Sequence, residues 1–171
     1  MLQVGGDFYH TEMKITLYTV GKIKESFYRD AIREFEKRLS RYCRLQIIEV
    51  ADEKTPDHAG DALCRQIRDR EGTRLLEKIP SDTVLYVLDI PGKRYTSEGF
   101  AGQLQEQMLN GRSDVGFVIG GSLGLSDSVL ARAEQRISFS DMTFPHQLMR
   151  VILLEQIYRA FRIINGEPYH K

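Results

Sequence analysis

Cysteine, histidine and net charge are all scarce in this 171-residue chain. Its two cysteines, Cys43 and Cys64, are too few and too far apart to frame a disulfide scaffold or a metal knuckle. Reduced thiols in a cytoplasmic protein are the expectation. The four histidines show no ligand spacing, so no metal site is expected either. Twenty-four basic residues balance 24 acidic ones. That excludes a protein that coats nucleic acid by bulk charge, but leaves room for a local basic patch. No apolar run approaches the roughly 20 residues of a membrane helix. The start, MLQVGGDFYHTE, lacks the basic-then-apolar order of a signal peptide. A G-x-G-x-x-G after the first strand is also missing, which counts against a dinucleotide site at the usual place.

What is present is ordinary for a globular domain: 42% apolar and 28% charged residues. Residues 1–12 have no period and are expected to be an extension or leader, with one folded domain over 13–171. From Met13 onward the apolar spacing alternates between two and about 3.6. Strands are expected at Lys14–Val20, Leu45–Val50, Thr83–Leu88, Val115–Ile119 and Arg136–Ser140. Helices are expected at Glu25–Tyr42, Asp61–Ile79, Thr96–Gly111, Asp127–Glu134 and His146–Ile164. Ser126 suits an N-cap, Asp89-Ile90-Pro91-Gly92 a turn, and Asn165-Gly166 a helix stop. Strict β-α alternation argues for a mainly parallel sheet with helices on both faces. Ligands of such sheets bind beyond the C-terminal strand ends. Three ends stand out: Leu88-Asp89, Ile119-Gly120-Gly121 and Phe139–Phe144.

Two helices carry unusual patterns. Over Lys14–Arg44 nine basic residues face four acidic ones, and Arg29, Arg33, Lys37 and Arg41 recur at intervals of four. This row suits phosphate contacts that fix position without reading sequence, or a plain solvated face. In the last helix Met149, Leu153, Leu154, Ile157, Ala160, Phe161 and Ile164 form one wide apolar face. Leu148, Val151, Ile152 and Ile163 extend it nearly all round, so a second subunit is expected to cover part of it. Glu155 and Arg159 read as an i,i+4 pair. Arg150 projects into the apolar face. Burying it alone would be costly, so it is either paired with a carboxylate or aimed at a ligand.

The pieces LDIPGK (88–93), FVIGGSLGLS (117–126), ISFSDMTFPHQLMRVILLEQIYRAFRI (137–163) and PYHK (168–171) carry a resemblance. From Met13 to Lys171 the chain resembles the SPOUT-class methyltransferases that methylate N3 of a pseudouridine in 23S ribosomal RNA. The resemblance implies a trefoil knot near the C-terminus, S-adenosylmethionine as cofactor, a homodimer and the ribosome as partner. It also implies cofactor contacts at Leu88, Gly120 and the run Phe139, Ser140, Asp141, Met142, Thr143 and Phe144. Gly120, Gly121 and Gly124, lacking Cβ atoms, are compatible with another backbone passing close.

Methyl transfer to a ring nitrogen needs alignment of donor and acceptor, and loss of the N3 proton. Arg150 is the candidate cation beside the N3 anion. Tyr169, His170 and Lys171 are candidates for substrate positioning, with His170 the candidate base because its ordinary pKa is about 6.5. Two other functions compete: a SPOUT enzyme acting on transfer RNA, and a non-catalytic RNA-binding α/β protein.

Overall fold

The computed structural model describes residues 12–169. His170 and Lys171 therefore lie outside the described residues. Five strands, β1 (Lys14–Val20), β2 (Arg44–Val50), β3 (Val84–Arg94), β4 (Asp114–Ile119) and β5 (Gln135–Ser138), alternate with five helices. These are α1 (Ser26–Leu39), α2 (Asp61–Lys78), α3 (Ser97–Leu109), α4 (Asp127–Arg132) and α5 (His146–Ile164). The strands form one sheet in the order β2-β1-β4-β3-β5, and every pairing is parallel.

Strand alternation splits the core in two. Ile15, Leu17, Val115 and Phe117 point toward α1, α3 and α5. Tyr18, Val20, Val118 and Val87 point toward α2 and α4. The parallel α/β class with helices on both faces, expected from the alternation, is the class observed. The first face is the larger, and α5 lies across it. Leu153, Leu154, Ile157 and Phe161 are at most 2% exposed. Burial of each contributes about 1.5–3 kcal/mol. The Glu155–Arg159 pair on the same helix is present, but such i,i+4 pairs contribute only about 0.3–0.5 kcal/mol. Burial therefore positions α5. Leu148, Val151, Ile152 and Ile163 remain only half-buried in the single chain.

Helix ends follow local chemistry. Ser126 caps α4 by accepting from the Val129 N–H, and Thr96 caps α3 by accepting from Gly99. Beyond α5, Gly166 takes φ +65°, and Glu167 N–H donates to the Arg162 carbonyl at 2.8 Å. This is the expected glycine stop.

One expectation changes. The turn at Asp89–Gly92 does not end the third strand, because β3 continues to Arg94. Leu88 and Lys93 both register on Ile137, so residues 89–92 bulge outward between them. At Gly92 the two strands come too close for a side chain. An added Cβ would stand 2.7 Å from the carbonyl carbon of Arg136 and 2.8 Å from its oxygen. The Pro-Gly pair that reads as a turn in the sequence serves here as a wide bulge inside a strand.

Candidate functional site

The bulge, the end of β4 and the loop after β5 meet beyond the C-terminal edge of the sheet. Between them lies a cavity of about 460 Å³, within the range of small-ligand sites. Its walls are Leu88–Pro91, Ile119–Leu125, Ile137–Ser140, Met142–Phe144 and the start of α5 at His146 and Met149. Thus Leu88, Gly120, Phe139, Ser140, Met142, Thr143 and Phe144 are brought together, as the three strand ends suggested. Asp141 is the exception. It does not line the cavity, and its carboxylate pairs with Arg94 at the surface.

Each wall has a local cause. After β4 the chain reverses at once, with Gly124 N–H donating to the Gly121 carbonyl at 3.1 Å. A Cβ at Gly120 would stand 2.9 Å from Leu125 Cδ2 and 3.0 Å from Gly124 carbon and oxygen. A side chain there would force the turn open. After β5, Ser138 Oγ donates to the Ser140 carbonyl, and Ser140 Oγ accepts from the Met142 N–H at 2.9 Å. Phe139 is held edge-on against Phe100, with centroids 6.3 Å apart. The mouth is apolar on this side, where Met142 is 74% and Ile90 46% exposed.

His146, at the opposite wall, belongs to the lining although the sequence reading gave it no role. It is half-buried, and its Nδ1 has no hydrogen-bond partner among the described residues. Burial, and next the charge of Arg150, push its pKa below the ordinary histidine value, so the ring is neutral near pH 7. Its placement directly after Pro145, at the first position of α5, was the available signal.

Arg150 is engaged elsewhere. It is 1% exposed. Its Nη1 donates to Glu49 Oε2 at 2.7 Å, and its Nη2 donates to the carbonyls of Gly21 at 2.8 Å and Val20 at 3.3 Å. Of the two roles open to it, the paired arginine is the one observed. It ties the ends of β1 and β2 to α5 and does not line the cavity.

Tyr169 folds back on α5. Its hydroxyl donates to Glu155 at 3.2 Å, its ring meets Tyr158 edge-on, and Arg159 lies over its face. Burial, and then the Glu155 carboxylate, raise its pKa, so it stays a phenol. Glu167 anchors the same turn through Tyr42 and Arg162. None of these tail contacts involves a residue of the cavity wall.

The lining combines an apolar slot with backbone groups, as an adenosyl amino-acid cofactor would require. Leu88, Phe139, Met142, Phe144 and Met149 offer an apolar slot, and the reversed Gly120–Gly124 backbone and the 138–144 loop bring peptide groups to its walls. Among the described residues, no group of three or more His, Cys, Asp or Glu could hold a metal ion. No helix there is long and apolar enough to cross a membrane.

Fold and site together define a parallel α/β protein with a cavity of small-ligand size at its C-terminal sheet edge, between a bulged strand and two tight loops. The family described as "Predicted SPOUT methyltransferase" matches residues 13–170, and the chain belongs to it. It is 59% identical over 159 residues to the ribosomal RNA large subunit methyltransferase H of Bifidobacterium adolescentis. It is 56% identical to the protein of that name from Clostridium beijerinckii, and 57% to one from Clostridium botulinum. Each alignment covers 93% of this chain and 100% of the relative.

Proposed function

We propose that the protein methylates N3 of a pseudouridine in 23S ribosomal RNA, using S-adenosylmethionine, as a cytoplasmic homodimer acting on the ribosome. The observation that carries this is the convergence of residues 88–91, 119–125, 137–140 and 142–144 on one cavity of small-ligand size. The relatives' shared name adds the large-subunit RNA as substrate class. Membership of the SPOUT family supports a trefoil knot in 13–171.

Leu88, Gly120, Phe139, Met142, Thr143 and Phe144 would hold the cofactor, with Ser140 fixing the loop and Asp141 pairing with Arg94 outside the cavity wall. S-adenosylmethionine held there supplies an electrophilic methyl group. The residues around it exclude water and align the acceptor ring, which is where most of the rate gain for an in-line displacement lies. The N3 proton must leave, and His170 is assigned as its acceptor. Tyr169, a phenol, positions the substrate. Arg150 acts as a positioning residue, since its guanidinium is already spent on Glu49 and two carbonyls. The dimer reading rests on the half-buried Leu148, Val151, Ile152 and Ile163 of α5.

The test is transfer of labelled methyl from S-adenosylmethionine to ribosomes lacking their native modification. Label at a large-subunit pseudouridine, lost in His170→Ala and reduced in Tyr169→Phe, is expected. Label on transfer RNA alone would replace the substrate. Absence of cofactor binding would leave only an RNA-binding protein.

A further inference from the structure

We propose that a phosphate-binding track for the RNA backbone runs from the cofactor cavity along the ends of β1 and β2 to α1, carried by Lys22, Lys24 and Arg29. The inference rests on the RNA-methylating reading above and names where that RNA lies. A cleft of about 390 Å³ adjoins the cavity and shares His146 with it as a common wall. A third cleft, of about 320 Å³, shares Lys22 and Glu49 with the second. The concave surface is therefore continuous across the sheet edge.

Its charge differs from that of the chain as a whole. The chain is neutral, yet these two clefts carry five basic side chains against three carboxylates. Buried Arg150 and Glu49 pair with each other, which leaves Lys22, Lys24, Arg29 and Arg33 against Glu36 and Asp52, with Arg33 paired to Asp30. Lys22, Lys24 and Arg29 form no ion pair among the described residues. Arg29 spends Nη1 on the carbonyls of Ile23 and Lys24, both at 3.1 Å, which keeps its charge and fixes the loop that bears the lysines. Lys24 N–H donates to Gln147 Oε1 at 3.0 Å, pinning the same loop to the start of α5. Asp52 and Lys24 of this cleft both lie near enough to His146 to act on its pKa, Asp52 raising it and Lys24 lowering it. A pinned loop whose cations form no ion pair, beside a ligand cavity, costs little entropy to use.

The two sides of the cavity mouth decide the direction. Toward β5 the rim is apolar, with Met142 exposed and Arg94 already paired with Asp141. Toward β1 it is cationic. A nucleotide whose base enters the mouth brings phosphates with it, and charge complementarity leads them over Lys22 and Lys24.

The experiment is filter binding of the full-length protein to large-subunit RNA across a salt series. It compares the parent, Lys22→Ala/Lys24→Ala, Lys22→Arg/Lys24→Arg, and Arg65→Ala/Arg70→Ala on α2, with cofactor affinity measured beside each. The Ala/Ala variant of the loop should bind about tenfold more weakly at low salt, with a salt slope shallower by about one per lysine. The Arg/Arg variant should keep the parent slope, and cofactor affinity should stay within twofold throughout. The inference is overturned by a parent-like slope in the Ala/Ala variant, by an equal loss from the α2 pair, or by joint loss of cofactor binding. If the parent binds RNA through these lysines but transfers no methyl to it, the track stands and the assigned activity falls.

Discussion

The C-terminal edge of the sheet has two halves that are built differently. Over β3, β4 and β5 the chain turns back on itself, and the walls are peptide groups, glycines and apolar side chains. Over β1 and β2 the loop is short and pinned, and what it offers is charge. Shape in the first half suits a small ligand with a flat apolar ring. Charge in the second suits a long polyanion whose register is set elsewhere. A neutral protein can thus serve a nucleic-acid substrate, because the excess charge is needed only where the backbone runs.

The largest effect should come from the residue that ties the charged half to α5. Arg150→Ala leaves Glu49 without its partner and frees two buried carbonyls. Breaking a buried pair costs about 3–5 kcal/mol. Glu49 is 38% exposed, which favours the low end of that range. Chemical denaturation should show the loss, and Arg150→Lys should recover little of it, since one ammonium cannot span three acceptors. A loss below about 1 kcal/mol, the scale of a surface pair, would mean that the arginine is not structural and would return it to the ligand-directed role.

Gly120→Ala should break one half and spare the other. Its Cβ would press on Leu125 and the Gly124 backbone, and overpacking of this kind costs about 1–3 kcal/mol. Calorimetry should show cofactor affinity reduced tenfold or more, while RNA affinity and its salt slope hold. If RNA binding fell equally, the two halves would be one site.

Much of this edge was legible in the residues. Apolar runs ended by glycine placed β4 and its turn, and alternation placed the sheet class and hence the edge at which the cavity lies. Ser126, Asn165 and Gly166 marked helix ends because capping is local chemistry. The bulge in β3 was not legible: Pro91-Gly92 signals a turn, and only the approach of Arg136 from 44 positions later makes it a strand interruption. Arg150 was half legible. Its place in an apolar face demanded a partner, but Glu49 lies on a strand 101 positions away, beyond any helix-spacing rule. Asp141 sat in the right loop, yet its side chain faces Arg94, because register along a loop does not fix side-chain direction. The lysines of the β1 loop carried no motif at all. Their significance comes from the cavity beside them.

The smallest effect concerns Glu71, which lies beneath the junction of the two halves. It is 5% exposed. Its Oε2 accepts from the Glu53 N–H at 3.0 Å on the β2 side. Its Oε1 lies 3.3 Å from where a Cβ of Gly121 would stand on the cavity side. Burial raises its pKa above the ordinary value of 4.5, the Glu53 N–H works against that shift, and Asp52 adds to it. The native state therefore holds this proton more tightly than the unfolded chain does. The stability it contributes is full below the ordinary glutamate pKa and is lost as pH rises through the raised native value. Glu71→Gln keeps an acceptor for Glu53 while removing the titration. The variant should match the parent in acid, gain on it as pH rises through that window, and then run parallel to it, as read by denaturation at a series of pH values. A gap independent of pH would mean that Glu71 titrates alike in the native and unfolded protein, so that burial does not shift it. A matching pH-dependent gap in cofactor affinity would show that its charge also sets the Gly121 turn, and so couples the charged half of the edge to the shaped one.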